Sequence, residues 1–174
     1  MRRVAVVGVT SSGKTTLAQE LARRLGAPHI EMDALHWGAG WVQAEPELFR
    51  QRVSEALAPE AWVADGNYGE VRDLVWGRAD TLVWLDYPLA RALWRLIVRT
   101  FRRVGRRIVL WNGNRETLRG ALFSRDSLFL YLFESHRRLR RTYPALFQQP
   151  AYRHLRVVRL RSPRQTARWL ASGR

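Results

Sequence analysis

The sequence contains no cysteine. That excludes disulfides, thiolate catalysis and thiolate metal sites, and it fits a reducing compartment. Long apolar runs are missing too: none approaches the ~20 residues that cross a bilayer. The start MRRVAVVGV imitates a secretory leader, but its apolar run of about six residues passes straight into Ser11-Ser12-Gly13-Lys14. A soluble, cytoplasmic protein with no membrane partner is expected. Of the four histidines, His29, His136 and His154 are scattered and lack metal-ligand spacing. Lysine is nearly absent: of 30 basic residues, 29 are arginine and one is lysine, against 15 acidic residues.

What remains is enough for one compact domain over 1–174. The hydrophobic fraction of 47% is that of an ordinary globular chain. There is no internal repeat and no low-complexity linker. Short apolar runs at 4–9, 28–32, 61–64, 81–85 and 157–160 read as strands. Helical periodicity falls between them. Leu17, Ala18, Leu21, Ala22 and Leu25 mark one face of a helix over 14–25 that stops at Gly26. Helices are also expected at 46–57, behind Pro46, from 89 to about 110, over 127–142, and after the Ser162-Pro163 start signal. Strands alternating with helices predict an α/β domain with a parallel sheet. The stretch from about 89 to 142 is too long for a simple crossover and reads as a helical lid.

The lone lysine sits in the strongest motif. Gly8-Val9-Thr10-Ser11-Ser12-Gly13-Lys14-Thr15 matches G-x-x-x-x-G-K-[ST] in full, after a predicted strand and at the start of a predicted helix. Its amides and the helix N-terminus are expected to cradle the phosphates of a nucleoside triphosphate such as ATP. Lys14 would reach the β- and γ-phosphates and Thr15 would ligate Mg²⁺. Ser11, Ser12 and Thr16 are further phosphate-side candidates. A flexible ammonium fits where a planar guanidinium fork does not, which explains why one lysine persists among arginines.

Ligands of open α/β sheets bind outside the carboxyl ends of the strands. Asp33, Asp65 and Asp86 are all expected at such ends. Asp33 is the candidate acceptor-binding residue or base. Asp65 is either a Mg²⁺ ligand acting through water or a turn residue capping the next helix. For Asp86, a helix cap is the preferred reading. His36, Trp37 and Trp41 either stack on an acceptor or pack a cap against the core.

Between Arg91 and Arg141 there are 14 arginines and three acidic residues, an excess of +11. Arg91, Arg95, Arg99, Arg102, Arg103 and Arg106 recur at helical spacing, and the apolar residues between them suggest that the other face packs. Three readings compete. Arg99, Arg103, Arg125 and Arg137 could be lid residues that clamp the transferring phosphoryl group. The basic face could bind nucleic acid. It could also be a solvated face in an arginine-rich chain.

Asp33-Ala34-Leu35-His36-Trp37, Trp62 to Tyr68 (WVADGNY), Asp86-Tyr87-Pro88, Leu110 to Glu116 (LWNGNRE) and Ser124-Arg125-Asp126-Ser127, together with the phosphate loop, resemble the adenylate-kinase-like P-loop proteins sometimes called DNA topology modulation proteins. The resemblance runs from about residue 3 to 142. It implies a three-layer α/β/α P-loop NTPase fold with a five-stranded parallel sheet, Mg-ATP as donor and phosphoryl transfer to a small acceptor. It carries the donor roles onto Lys14 and Thr15, the Mg²⁺ role onto Asp65 and the acceptor role onto Asp33. Nucleoside monophosphate kinases follow the Asp-Gly pair with phenylalanine, proline and a phosphate-binding arginine. Here Asn67-Tyr68-Gly69-Glu70-Val71-Arg72 stands instead, so Arg72 matches only loosely. The leading expectation is an ATP-dependent kinase of a small, nucleotide- or nucleoside-like acceptor. The alternatives are a nucleic-acid-associated ATPase and a nucleotide-dependent regulatory protein.

Overall fold

A computed structural model describes residues 1–117 and 127–173. Five parallel strands form one sheet in the order β2-β3-β1-β4-β5. They are β1 (Arg3–Gly8), β2 (His29–Glu31), β3 (Trp62–Asp65), β4 (Thr81–Leu85) and β5 (Arg156–Leu160). β1 lies at the centre, with Val6 opposite both Asp65 of β3 and Val83 of β4. All five strands foreseen from the sequence are present, within one or two residues of their expected ends.

Side-chain alternation explains the two covered faces. Val4 and Val6 point to one side, against Leu17, Ala18, Leu21 and Ala22 of α1 (Lys14–Leu25) and near Trp169 and Leu170 of α7 (Pro163–Ala171). Ala5 and Val7 point to the other. There they meet Phe49 and Val53 of α3 (Pro46–Ala56) and Val75 and Trp76 of α4 (Arg72–Arg78). α5 (Leu89–Gly105) and α6 (Leu128–Phe147) complete that layer through Ala92, Leu96, Leu132, Leu139 and Tyr143. A strand buried on both faces reads as a continuous apolar run, as β1 does. The result is a three-layer α/β/α arrangement around one parallel sheet.

Local signals set most of the ends. Gly26 takes φ 60° and donates back to the Ala22 carbonyl, which stops α1. Ser127 and Ser162 accept the Leu130 and Gln165 amides and start α6 and α7. Two ends differ from expectation. α5 stops at Gly105 instead of continuing to about residue 110. Arg107 takes φ 47°, and the chain turns into a hairpin closed by the Val109–Arg115 bridge. α6 runs on to Phe147, past Thr142, with Pro144 inside it. Proline forfeits a helical hydrogen bond there. Compensation comes from Tyr143 and Phe147, which pack on Trp76 and Trp84 at ring separations of 5.3–5.9 Å.

Candidate functional site

β1 ends at Gly8, and the chain then wraps into a loop that feeds α1. Gly8 takes φ 151°, and a Cβ there would lie 2.7 Å from the Leu85 carbonyl oxygen. Gly13 takes φ 97° at the N-cap of α1. Both conformations favour glycine. Together with Ser11 at φ 58°, they curl the backbone around the helix N-terminus. Asn67 fixes the loop's entrance: its Oδ1 accepts the Gly8 amide at 3.0 Å and its Nδ2 donates to the Gly8 carbonyl.

Lys14 Nζ donates to the Val9 carbonyl at 3.0 Å, inside the loop. Burial pushes its pKa down, while Asp33 and Asp65 push it up. Thr15 Oγ1 donates to Asp65 Oδ2 at 2.7 Å. The other Asp65 oxygen, Oδ1, meets His29 Nε2 at 2.9 Å. Asp65 is therefore no helix cap: it is a buried carboxylate held from two sides beside the phosphate loop. Asp33 lies in the first turn of α2 (Met32–His36) and accepts the Tyr68 hydroxyl at 2.6 Å. Burial raises the Tyr68 pKa well above its ordinary value, so the phenol keeps its proton for that bond.

The sequence reading missed four contributors. Asn67 is one, and its place in the Asp-Gly-Asn-Tyr cluster was the available signal. Glu31 is the second. Burial raises its pKa, and the nearby carboxylates of Asp65 and Asp33 raise it further. The others are His29 and Arg95. Arg95 Nη1 donates to the Ser12 carbonyl at 3.2 Å, and its guanidinium lies 2.9 Å from where a Gly13 Cβ would be.

Of the basic stripe, Arg95, Arg99 and Arg103 turn inward from α5. Arg99 Nη1 reaches Thr10 Oγ1 at 3.5 Å, and Arg99 and Arg103 face Glu116 at 3.7 and 2.6 Å. Burial and the neighbouring Arg103 push the Arg99 pKa down to about 10. Arg91, Arg102 and Arg106 are exposed. Arg137 is exposed and makes no hydrogen bond or ion pair among the described residues. Arg125 lies outside them. The expected apolar packing is partial: Leu96 is buried, but Trp94, Val98 and Phe101 are exposed.

Asp86 is corrected from helix cap to ion-pair centre. Pro88 precedes α5 without a side-chain cap, and Asp86 is buried between Arg140 and Arg159, each at 2.6 Å. The aromatic loop packs as the structural reading expected. His36 is buried, with ring neighbours Trp37, Phe49 and Tyr68 at 4.6–4.9 Å. Trp41 joins Trp37 to Trp111. Beside Asp65, Asn67, Tyr68, Arg72 and Tyr143 there is a cavity of about 10 Å³, room for one water.

The residues fit a nucleotide and its metal. Ser11 Oγ, Ser12 Oγ and Arg99 Nε are buried without protein partners around the loop. Thr16, in the first turn of α1, is exposed. Thr15 and Asp65 offer a hydroxyl and a carboxylate side by side. No group of three His, Asp or Glu side chains that could hold a metal occurs among the described residues. A Mg²⁺ bound here would draw its other ligands from phosphate and water. No helix among the described residues is long and apolar enough to cross a membrane.

Comparison with known proteins agrees with this geometry. The sequence model of the family described as ATPase family associated with various cellular activities (AAA) matches residues 4–63, the phosphate loop included. No curated protein matches the sequence. Among solved structures, the chain resembles a shikimate kinase from Bacteroides thetaiotaomicron, with a TM-score of 0.57 and 17% identity over 98% of this chain and 95% of that one. A gluconokinase from Sinorhizobium meliloti 1021 gives 0.53 and 19%, over 98% and 92%. A shikimate kinase from Acinetobacter baumannii in complex with shikimate gives 0.52 and 19%, over 99% and 90%. At these identities the likeness is one of fold, and the fold is that of P-loop kinases.

Proposed function

We propose that this chain is a Mg-ATP-dependent kinase that phosphorylates a small acceptor, nucleotide- or nucleoside-like. One observation carries the reading. Asp33, in the first turn of α2 just past β2, and Lys14, just past the loop after β1, lie at the carboxyl end of one parallel sheet, and Asp33 opposes the burial that lowers the Lys14 pKa, so the acceptor-side carboxylate and the phosphate lysine share one site. A carboxylate at that place can orient an acceptor hydroxyl and take its proton.

In this reading the loop amides and Lys14 hold the β- and γ-phosphates. Thr15 and Asp65 would hold Mg²⁺, which would screen the phosphate charge. Asp33 orients the acceptor hydroxyl and takes its proton. The acceptor oxygen bonds to the γ-phosphorus as the bond to the bridging oxygen breaks, and ADP leaves. Arg99 and Arg103, and with them Arg125 and Arg137 in a closed lid, stabilise the charge on the phosphoryl group. The kinases with this fold are named for shikimate and gluconate, which supports a small hydroxylated acceptor.

One domain over 1–174, with a lid between about 89 and 142, belongs to the same proposal. So do the cytoplasm as its place and membership of the DNA topology modulation subgroup. That subgroup's name carries no mechanism here, and nucleic acid has no part in the reading. The test is a γ-phosphate transfer screen with Mg-ATP over nucleosides, nucleoside monophosphates and small hydroxy acids. Transfer that vanishes in Asp33→Asn while Mg-ATP binding persists is expected. Mg-ATP hydrolysis with no transfer to any acceptor would refute the kinase reading.

A further inference from the structure

The hairpin over 106–117, between α5 and the residues that lead to α6, touches both halves of the site. It turns through Trp111–Gly113, with Asn112 at φ 54° and the Leu110 amide bonded to the Asn114 carbonyl at 2.7 Å. On the acceptor side it clasps the loop at 37–45. Asn114 is buried and bonded at both ends of its amide there: its Nδ2 donates to the Gly38 carbonyl at 2.8 Å and its Oδ1 accepts the Trp41 amide at 3.0 Å. Asn112 Nδ2 donates to the Trp37 carbonyl. Trp41 Nε1 donates to the Arg115 carbonyl at 3.3 Å, and the Trp41 and Trp111 rings lie 6.3 Å apart.

Two residues after Asn114, the same hairpin faces the donor side. Glu116, its side chain 9% exposed, places Oε1 2.6 Å from Arg103 Nη1 and 3.7 Å from Arg99 Nη2. Arg99 in turn reaches Thr10 in the phosphate loop. Two guanidiniums thus share one carboxylate oxygen. Glu116 Oε2 and Arg99 Nε are both buried without a protein partner. Without Glu116, two like charges would face each other beside the loop, free to swing apart. Donors aimed at developing charge act most strongly when they are already fixed.

We propose that Glu116 is a positioning residue that holds Arg99 and Arg103 against the phosphate loop, and that Asn114 makes this placement depend on the acceptor-side loop. The inference rests on the kinase reading. Seating the loop at 37–45 sets the hairpin, the hairpin sets Glu116, and Glu116 sets the arginines. Phosphoryl transfer is then fastest when the acceptor loop is in place.

The experiment measures kcat and KM for Mg-ATP and acceptor, with Mg-ATP Kd by calorimetry. The proteins are wild type, Glu116→Gln, Glu116→Asp, Arg99→Gln, Asn114→Ala and the double variant Glu116→Gln/Arg99→Gln. Arg102→Gln, an exposed change on the same helix, controls for net charge. Glu116→Gln is expected to lower kcat by about 10-fold or more with Mg-ATP Kd within about 3-fold. Glu116→Asp should recover part of that loss, and the double variant should be no slower than Arg99→Gln alone by more than about 2-fold. Asn114→Ala should lower kcat and raise KM for the acceptor. An unchanged kcat in Glu116→Gln overturns the inference, as do losses that multiply in the double variant. If Glu116→Gln melts early, Glu116→Asp, which keeps the carboxylate but draws it back from both guanidiniums, reads the contact: a kcat equal to wild type then overturns the inference. A wild type that hydrolyses Mg-ATP but transfers to no acceptor sinks the kinase reading. The same cycle on hydrolysis then decides the Glu116 contact separately.

Discussion

Lys14 is buried beside two carboxylates. Burial disfavours its charge, and Asp33 and Asp65 restore some of it. A triphosphate would add negative charge that favours the ammonium further. Lys14→Ala is expected to abolish measurable Mg-ATP binding in calorimetry. Lys14→Arg should bind at least about 10-fold more weakly, because a fork that is bulkier and planar cannot take the place 3.0 Å from the Val9 carbonyl. Equal affinity in Lys14→Arg would refute the steric account of the lone lysine. His36 gives a second test. Burial among Trp37, Phe49 and Tyr68 lowers its pKa below the ordinary 6.5. The folded state then binds fewer protons than the unfolded state. Its contribution is full above the unfolded pKa and is lost as pH falls through the folded one. Thermal unfolding from pH 7.5 down to 5 should therefore show a drop in wild type (pH values about those of an ordinary imidazole titration) that is smaller in His36→Phe. Parallel curves for the two proteins would show that His36 is not the titrating group.

Among the elements, the phosphate loop depends on its neighbours as much as on its own sequence. Gly8 lies against the end of β4, and its amide and carbonyl are both bound by Asn67 after β3. Gly8→Ala would force a Cβ to 2.7 Å from Leu85 O at φ 151°. The expected cost is about 2–4 kcal/mol, or a fall in Tm of at least about 5 °C by calorimetry, together with weaker nucleotide binding. A Tm within about 1 °C of wild type would contradict the geometry. α5 has three faces. Ala92, Leu96 and Thr100 are buried, Arg95, Arg99 and Arg103 turn to the loop, and Trp94, Val98 and Phe101 are exposed. Helical spacing alone put the arginines on one face; which of them meets phosphate depends on the helix's rotation against the sheet.

At the scale of the whole molecule, Asp86 ties β4 to α6 and β5. Arg140 and Arg159 both reach it, and Arg159 also lies 4.4 Å over the Trp84 ring. Asp86→Ala strands two guanidiniums that water can still reach, so the cost is set at about 1–3 kcal/mol, or roughly 2–12 °C in Tm. The net charge of +15 acts on the entire fold. Like-charge repulsion opposes compaction and is screened by salt. Raising sodium chloride from about 0.1 M to 1 M, which shortens the Debye length from about 10 Å to about 3 Å, should raise Tm. A falling Tm would mean that ion pairs such as those at Asp86 outweigh the repulsion.

The sequence by itself determined the sheet, the phosphate loop and the identity of Lys14 and Thr15. Those features are local. An apolar run forms a strand, a fixed spacing of glycines curls a loop, and the lysine follows the second glycine in the chain. Asp33 and Asp65 were legible as strand-end carboxylates for the same reason. Only the tertiary structure decided their partners: Asp65 with Thr15 and His29, Asp33 with Tyr68, Asp86 with Arg140 and Arg159. It alone brought Glu116 beneath Arg99 and Arg103, and Asn114 onto the loop at 37–45. These contacts join residues 13 to 76 positions apart, with no period or motif to link them. They exist because the sheet order places β1 between β3 and β4, and so gathers the carboxyl ends of distant strands around one loop.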